Sequence, residues 1–148
     1  MTTAKDVAKY FIWLDSKEVS DGVSNLTLQK LVYYSQGYFL ALFERPLFPE
    51  SIAAWRHGPV VPDLWHEFKK FERAAIPPND DYEPNLSEDE KNLVQEIFGA
   101  YGVYSGSKLL KMTQEEQPWL DHHENRAIIP HADLKTFFKS KAIISTTL

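Results

Sequence analysis

Apolar residues recur every three or four positions along most of the chain, which is the spacing of one face of an α-helix. The strongest such segment covers residues 27–43. Leu28, Leu31, Tyr38 and Leu42 share one face of it, and apolar or aromatic residues fill most of the other faces. A helix that is apolar nearly all round must be covered on several sides. The pattern therefore predicts a buried central helix over residues 27–43.

Gly37 lies in the middle of this predicted helix. Glycine in a helix interior costs about 0.5–1 kcal/mol relative to alanine. Its presence indicates that another stretch of backbone passes close to the helix at this point.

Shorter helices are predicted on both sides of the central one. Apolar spacing, with Ser, Thr and Pro near the expected starts, indicates helices over residues 3–18, 62–71, 88–101 and 130–141. A shorter helix, capped by Ser105 or Ser107, is predicted to carry Leu109, Leu110 and Met112. Ser87 and Glu90 match a capping box, in which each side chain accepts a hydrogen bond from the backbone of the other residue. Turn-forming residues over 73–86 predict a loop.

Strand signals are few. Short apolar runs at residues 51–55 and 127–129 indicate at most a few strand residues, and Gly58 and Pro59 are predicted to form the turn after the first run. The fold class is therefore mainly α, a single compact multi-helix domain over residues 1–148 built around the central helix. Residues 142–148 are expected to be a frayed tail.

The composition is that of an ordinary globular domain, and it excludes several classes of protein. Of 148 residues, 43% are apolar and 25% charged, and the net charge is −5. The absence of cysteine excludes disulfide frameworks, thiolate nucleophiles and cysteine-based metal sites. Without a signal-peptide pattern or an apolar run near the roughly 20 residues that span a bilayer, we expect a cytoplasmic protein with no membrane partner. The acidic balance argues against nucleic acid as a partner of this domain alone.

No stretch carries a specific catalytic or metal-binding motif. Residues 102–108 resemble a phosphate-binding loop, but the glycines are one residue too close and Ser precedes Lys. Asp121, His122, His123, Glu124 and His131 form the one metal-like cluster, yet adjacent histidines point in different directions on a helix. A solvated polar stretch is the favoured interpretation, so we expect no metal, no cofactor and no catalytic residues.

Several segments taken together resemble a known family. They read LQKLVYYSQGY at residues 28–38, RPLF at 45–48, IAAWRHGPVVP at 52–62, LLKMT at 109–113 and EQPW at 116–119. In order and spacing they are similar to the Panacea domain, found in SocA/GepA-like proteins of bacteria and prophages. The motif residues, for which the resemblance implies structural roles, are Gln29, Lys30, Tyr34, Gly37, Pro46, Trp55, His57, Gly58, Pro59, Val60, Thr113, Pro118 and Trp119.

The resemblance implies a non-catalytic antitoxin, which binds and neutralises a cognate toxin encoded beside it. One type in the family delivers its toxin to a ClpXP-type protease, which adds ATP-dependent protease machinery to the candidate partners. The sequence departs from the family where Gln114 follows Thr113, because the family commonly has His there. If that His only makes a hydrogen bond in the fold, Gln can replace it.

Aromatic residues that the helical stripes do not place inside are candidates for partner contacts, with one arginine as their polar partner. They are Trp13, Tyr33, Trp65 and Tyr104, with Arg56. One alternative is a small-ligand-binding or hydrolase-like enzyme with a pocket around Arg56 and His57, using His131 or Asp121. A second alternative is a prophage accessory protein that shares only the fold.

Overall fold

Helices make up most of the described chain and pack around the second of them. The computed structural model describes residues 1–79 and 81–141. In chain order the elements are α1 (Ala4–Ser16), α2 (Asn25–Phe43), β1 (Ala53–Trp55), β2 (Gly58–Val60), α3 (Pro62–Phe68), α4 (Glu88–Tyr101), α5 (Gly106–Gln114), α6 (Gln117–Leu120) and α7 (His131–Lys141). Two short 3₁₀ helices, Lys69–Phe71 and His123–Asn125, follow α3 and α6. With 59% helix and one two-stranded sheet within these residues, the mainly α fold class is confirmed.

Two expectations about the limits of the domain stay outside this description. The frayed tail predicted for residues 142–148 lies outside the described residues. The extent of a single domain over residues 1–148 therefore stays a prediction.

Helix α2 is the predicted central helix, and it starts two residues earlier than expected. Ser24 caps it by accepting a hydrogen bond from the Thr27 N–H. Every residue from Leu28 to Leu40 is buried, because α1, α4, α5, α7 and strand β2 all pack against this helix. The burial includes the polar side chains of Gln29, Lys30 and Gln36.

Gly37 faces an aromatic ring rather than the passing backbone that the sequence suggested. A Cβ at Gly37 would lie 2.1 Å from the ring of Phe138, which is buried on α7. The same ring contacts Tyr33, Tyr34 and Tyr38 edge-on, with centroid separations of 4.8–6.0 Å. The missing side chain thus lets α7 lie against α2 through one large ring.

The short strands form a hairpin whose turn lies two residues before the predicted one. Strand β1 falls within the predicted run, and Trp55 pairs with Gly58, so Arg56 and His57 make the turn. Gly58 has a φ of +87°, a left-handed conformation that favours glycine, which explains the glycine without making it the turn residue. Residues 127–129 form no strand. They contribute one isolated bridge from Ile128 to Ala53.

Two helices begin with capping boxes, and a hydrogen bond joins their starts. The box predicted for Ser87 and Glu90 is confirmed at the start of α4, and Thr3 and Asp6 form another at α1. Glu90 also accepts a hydrogen bond of 2.6 Å from the hydroxyl of Thr2. The starts of α1 and α4 are therefore held side by side.

Gly37 and Gly99 provide a matched test of the α2–α7 packing. Gly37→Ala should lower the free energy of unfolding by about 1–3 kcal/mol, because the buried Phe138 ring must shift. Gly99 is also inside a helix, but among the described residues nothing lies within 4 Å of a Cβ added there. Gly99→Ala should therefore raise stability by about 0.5–1 kcal/mol. Urea unfolding of both variants measures the difference, and equal effects would contradict this packing.

Candidate functional site

Gln29 and Asn25, on the first turns of α2, fix the hairpin and α3 in place. The Gln29 side-chain oxygen accepts the Val61 N–H at 2.9 Å, and its amide donates to the Asn25 side-chain oxygen at 2.9 Å. Asn25 in turn donates to the backbone carbonyl of Trp65 at 3.2 Å. Both side chains are buried, so their hydrogen bonds take the place of the water that these backbone groups lose on folding.

Lys30 holds the hairpin strand from inside the domain. Its Nζ donates to the Pro59 carbonyl at 3.1 Å, and its side chain is fully buried. Within residues 1–79 and 81–141 no carboxylate pairs with it. Burial disfavours the charged ammonium and lowers the pKa of Lys30 to about 7.

Helices α5 and α6 also hold the hairpin in place. Trp119 donates its indole N–H to the Trp55 carbonyl at 2.7 Å, and Gln114 donates its amide to the Arg56 carbonyl at 3.1 Å. A Cβ at Gly58 would lie 2.9 Å from the hydroxyl oxygen of Thr113. Gln114 thus hydrogen-bonds to the backbone of the turn.

Tyr33 is not available to a partner, which corrects its place among the contact candidates. Its side chain is fully buried, and its hydroxyl donates to Glu116 at 2.9 Å. Tyr34 donates to the other oxygen of Glu116 at 3.0 Å, and Lys141 lies 3.3 Å from that same oxygen. The Tyr33 side chain cannot reach the surface, because neighbouring elements cover α2 on all sides.

Burial dominates the electrostatics of this carboxylate cluster. It raises the pKa of Glu116 although Lys141 and the two tyrosine hydroxyls oppose the shift. Burial first, and then the nearby carboxylate, raise the pKa values of Tyr33 and Tyr34 above their ordinary range. Both phenols therefore stay protonated and serve as hydrogen-bond donors to Glu116.

Aromatic rings line the outer side of the hairpin turn. The exposed His57 ring stacks on half-buried Trp65, with centroids 5.7 Å apart and planes 17° apart. Trp55 meets Trp65 edge-on at 6.5 Å. Arg56 is exposed at the tip of the turn. We call Trp55, Arg56, His57 and Trp65 the hairpin surface.

A groove of about 650 Å³ opens beside the hairpin surface. His57, Trp65, Lys69 and Arg73 are among the residues that line it. A second depression of about 330 Å³ shares Ser24, Thr27, Arg73 and Gly106 with the groove and continues to Tyr104. We call the two together the hairpin groove.

The structure brings some of the candidate residues together and separates others. Arg56 and Trp65 belong to the hairpin surface, and Tyr104, 40% exposed, lies at the far end of the hairpin groove. Trp13 lies elsewhere on α1, where it stacks on Tyr10 at 5.9 Å.

The residues of the enzyme alternative do not converge. Arg56 and His57 are neighbours on the turn, but neither Asp121 nor His131 lines the hairpin groove. His122 instead lies 2.8 Å from Asp133. Over the described ranges, no three His, Asp or Glu side chains lie close enough together to hold a metal ion.

Sequence reasoning missed Lys69 and Arg73. A signal for them is present, because residues 65, 69 and 73 are four apart and would share a face of a helix. The turn-forming residues after position 72 predict a loop. Arg73 therefore falls outside the predicted helix, and the sequence gives no reason to place it on the same face as Lys69.

These features define a mainly α domain in which one buried helix fixes a short β-hairpin and the aromatic surface beside it. The chain belongs to the antitoxin SocA-like family, because the model of its Panacea domain matches residues 28–120, more than half of the chain. This range includes the buried residues 28–40 of α2, the hairpin and helices α3 to α6.

The chain is also similar to a curated protein, antitoxin SocA of Caulobacter vibrioides (strain NA1000 / CB15N). The two are 46% identical over 46 residues, which is 31% of this chain and 24% of that protein. The chain thus aligns with about a quarter of its relative. No solved structure matches the chain.

None of the described helices combines the length and the apolar character needed to cross a membrane.

The buried amine of Lys30 predicts a specific pH dependence of stability. Between its folded pKa of about 7 and its ordinary value of 10.5, the unfolded chain binds more protons than the folded one, so stability rises with pH. From pH 7 to pH 9 this contribution is about 2 kcal/mol. Lys30→Met should abolish it.

Urea unfolding at pH 7, 8 and 9 measures this difference, with exposed Lys111→Met as the matched control. The control should keep the dependence of the unmodified protein. Equal slopes for Lys30→Met and Lys111→Met would show that Lys30 is not a desolvated amine.

Proposed function

We propose that this chain is a non-catalytic antitoxin that neutralises a toxin protein, encoded beside it, by binding to it through the hairpin surface. The proposal places this activity in the cytoplasm of a bacterium, with the gene carried by the bacterium or by a phage. Family membership supports the antitoxin role. The hairpin surface supports the assignment of the contact, and it is the observation that carries the proposal.

The hairpin surface has the composition of a binding anchor. Trp and Arg are enriched among residues that dominate binding energies at protein interfaces. Here Arg56 belongs to the hairpin turn and Trp65 stacks on its neighbour His57. Lys30 fixes the hairpin by its hydrogen bond to Pro59, and Gln114 by its hydrogen bond to Arg56. A turn fixed before binding loses little conformational entropy when a partner covers it.

The polar residues of the family motif also support a binding role over a catalytic one. Gln29 and Lys30 are buried and hydrogen-bonded to backbone groups of the hairpin segment. Gln36 does the same for the loop before β1, accepting the Leu47 N–H at 2.7 Å and donating to the Phe48 carbonyl at 2.8 Å. These side chains are occupied in holding the fold.

Delivery of the bound toxin to a ClpXP-type protease is a finer part of the same proposal. It rests on the family resemblance. It predicts that the toxin disappears faster in cells that contain both this protein and the protease than in cells lacking the protease. Simple neutralisation predicts equal toxin lifetimes.

Co-expression with the protein of the adjacent gene tests the antitoxin proposal. We expect relief of that protein's toxicity and a stable complex on size-exclusion chromatography. The double variant Arg56→Ala/His57→Ala should bind at least ~10-fold more weakly, because it removes exposed contacts without touching the core.

The matched control is Lys111→Ala/His131→Ala, which removes another exposed cation and histidine. It should bind as the unmodified protein does. Equal weakening of binding by both double variants would show that the hairpin surface is not the toxin-binding interface. Absence of both a complex and relief of toxicity would overturn the antitoxin proposal and leave the accessory-protein alternative.

A further inference from the structure

Aromatic and cationic side chains together line one part of the hairpin groove. The aromatic rings are His57 and Trp65, which stack on each other, and the cations are Lys69 and Arg73. Glu72 also lines this part, which keeps a net positive charge. The volume of about 650 Å³ here is large enough for several side chains of an extended peptide. A segment bound here would meet an apolar surface and positive charge together.

Within the described part of the chain, these two cations form no ion pair. Among residues 1–79 and 81–141, neither the Lys69 nor the Arg73 side chain has an ion-pair or hydrogen-bond partner. Lys5 and Lys135, by contrast, pair with Glu67 and Glu44 at 2.7 and 2.6 Å. These two cations line the same groove as His57 and Trp65. They make the local charge positive, although the whole chain has a net charge of −5.

The other part of the groove carries a net negative charge. Asp15 and Asp21 line it together with Tyr104, and Arg73, which it shares with the first part, offsets one of the two carboxylates. A nucleic acid strand following the groove would bring its phosphates against these carboxylates, which is unfavourable. A peptide can place an acidic side chain at one end and a neutral or basic one at the other. The charge distribution therefore favours a protein segment.

We propose that the hairpin groove binds an extended segment of a partner protein, with acidic side chains against Lys69 and Arg73 and an aromatic or aliphatic side chain against Trp65. The identity of that partner as a toxin rests on the function proposed above. The chemistry of the segment rests on the groove alone. The occupant is thus an acidic, partly apolar peptide.

Selection from a phage-displayed library of random 12-residue peptides tests the chemistry without a known partner. Selected peptides should be enriched in Asp or Glu near an aromatic or large aliphatic residue. Their affinity should fall at least ~10-fold for Lys69→Glu/Arg73→Glu and fall with rising ionic strength. Peptides with the acidic residues changed to lysine should regain affinity for that double variant.

A matched control separates this groove from general charge effects. Lys111→Glu/Arg126→Glu makes the same change in net charge at two other exposed cations and should leave peptide affinity unchanged.

The outcomes distinguish this inference from the antitoxin proposal. If the adjacent-gene protein binds but Lys69→Glu/Arg73→Glu has no effect and selected peptides show no acidic enrichment, the groove inference is wrong and the antitoxin proposal stands. If acidic peptides bind as described while the adjacent-gene protein does not, the groove inference stands and the antitoxin proposal is wrong. Binding of a 12-nucleotide single strand that is lost in the double variant, without peptide binding, would overturn the inference in favour of nucleic acid.

Discussion

The buried polar side chains of α2 are the constraint on which the rest of the structure depends. A helix covered on all sides would normally carry apolar residues only, yet Gln29, Lys30 and Gln36 are each fully buried. Each bonds to the backbone of a segment that has little regular structure of its own. Throughout the described chain, no buried side-chain nitrogen or oxygen lacks a hydrogen-bond partner. Because removing one partner would leave a buried group unsatisfied, these bonds allow one arrangement of the hairpin and its flanking loop.

This arrangement explains how a small sheet can present a defined surface. A two-stranded hairpin is marginally stable alone. Here Lys30 and Gln29 hold its inner side, and Gln114 and Trp119 hold its turn. The aromatic residues on the outer side are consequently fixed in place beside the hairpin groove. Lys30 positions the hairpin but does not stabilise the fold, since burying an amine without a carboxylate partner carries a desolvation cost.

The sequence predicts the helical architecture well, because it follows from local spacing. The central helix and the Ser87 capping box depend on residues three or four apart, and both are observed. Features set by distant contacts are predicted less well. Gly37 faces Phe138, about a hundred positions away, and the turn at Arg56 and His57 is set by a strand register that spacing does not reveal. The contact role predicted for Tyr33 is wrong because the spacing of apolar residues in α2 does not show which of its rings meets a buried carboxylate.

The central claim is that α2 side chains bind backbone groups of the hairpin segment and its preceding loop as part of the core. Native-state amide hydrogen exchange tests it directly at Val61 and Leu47, whose N–H groups donate to Gln29 and Gln36. The account predicts that both amides exchange only through global unfolding, as slowly as the amides in the middle of α2. Exchange orders of magnitude faster, through local opening, would contradict it.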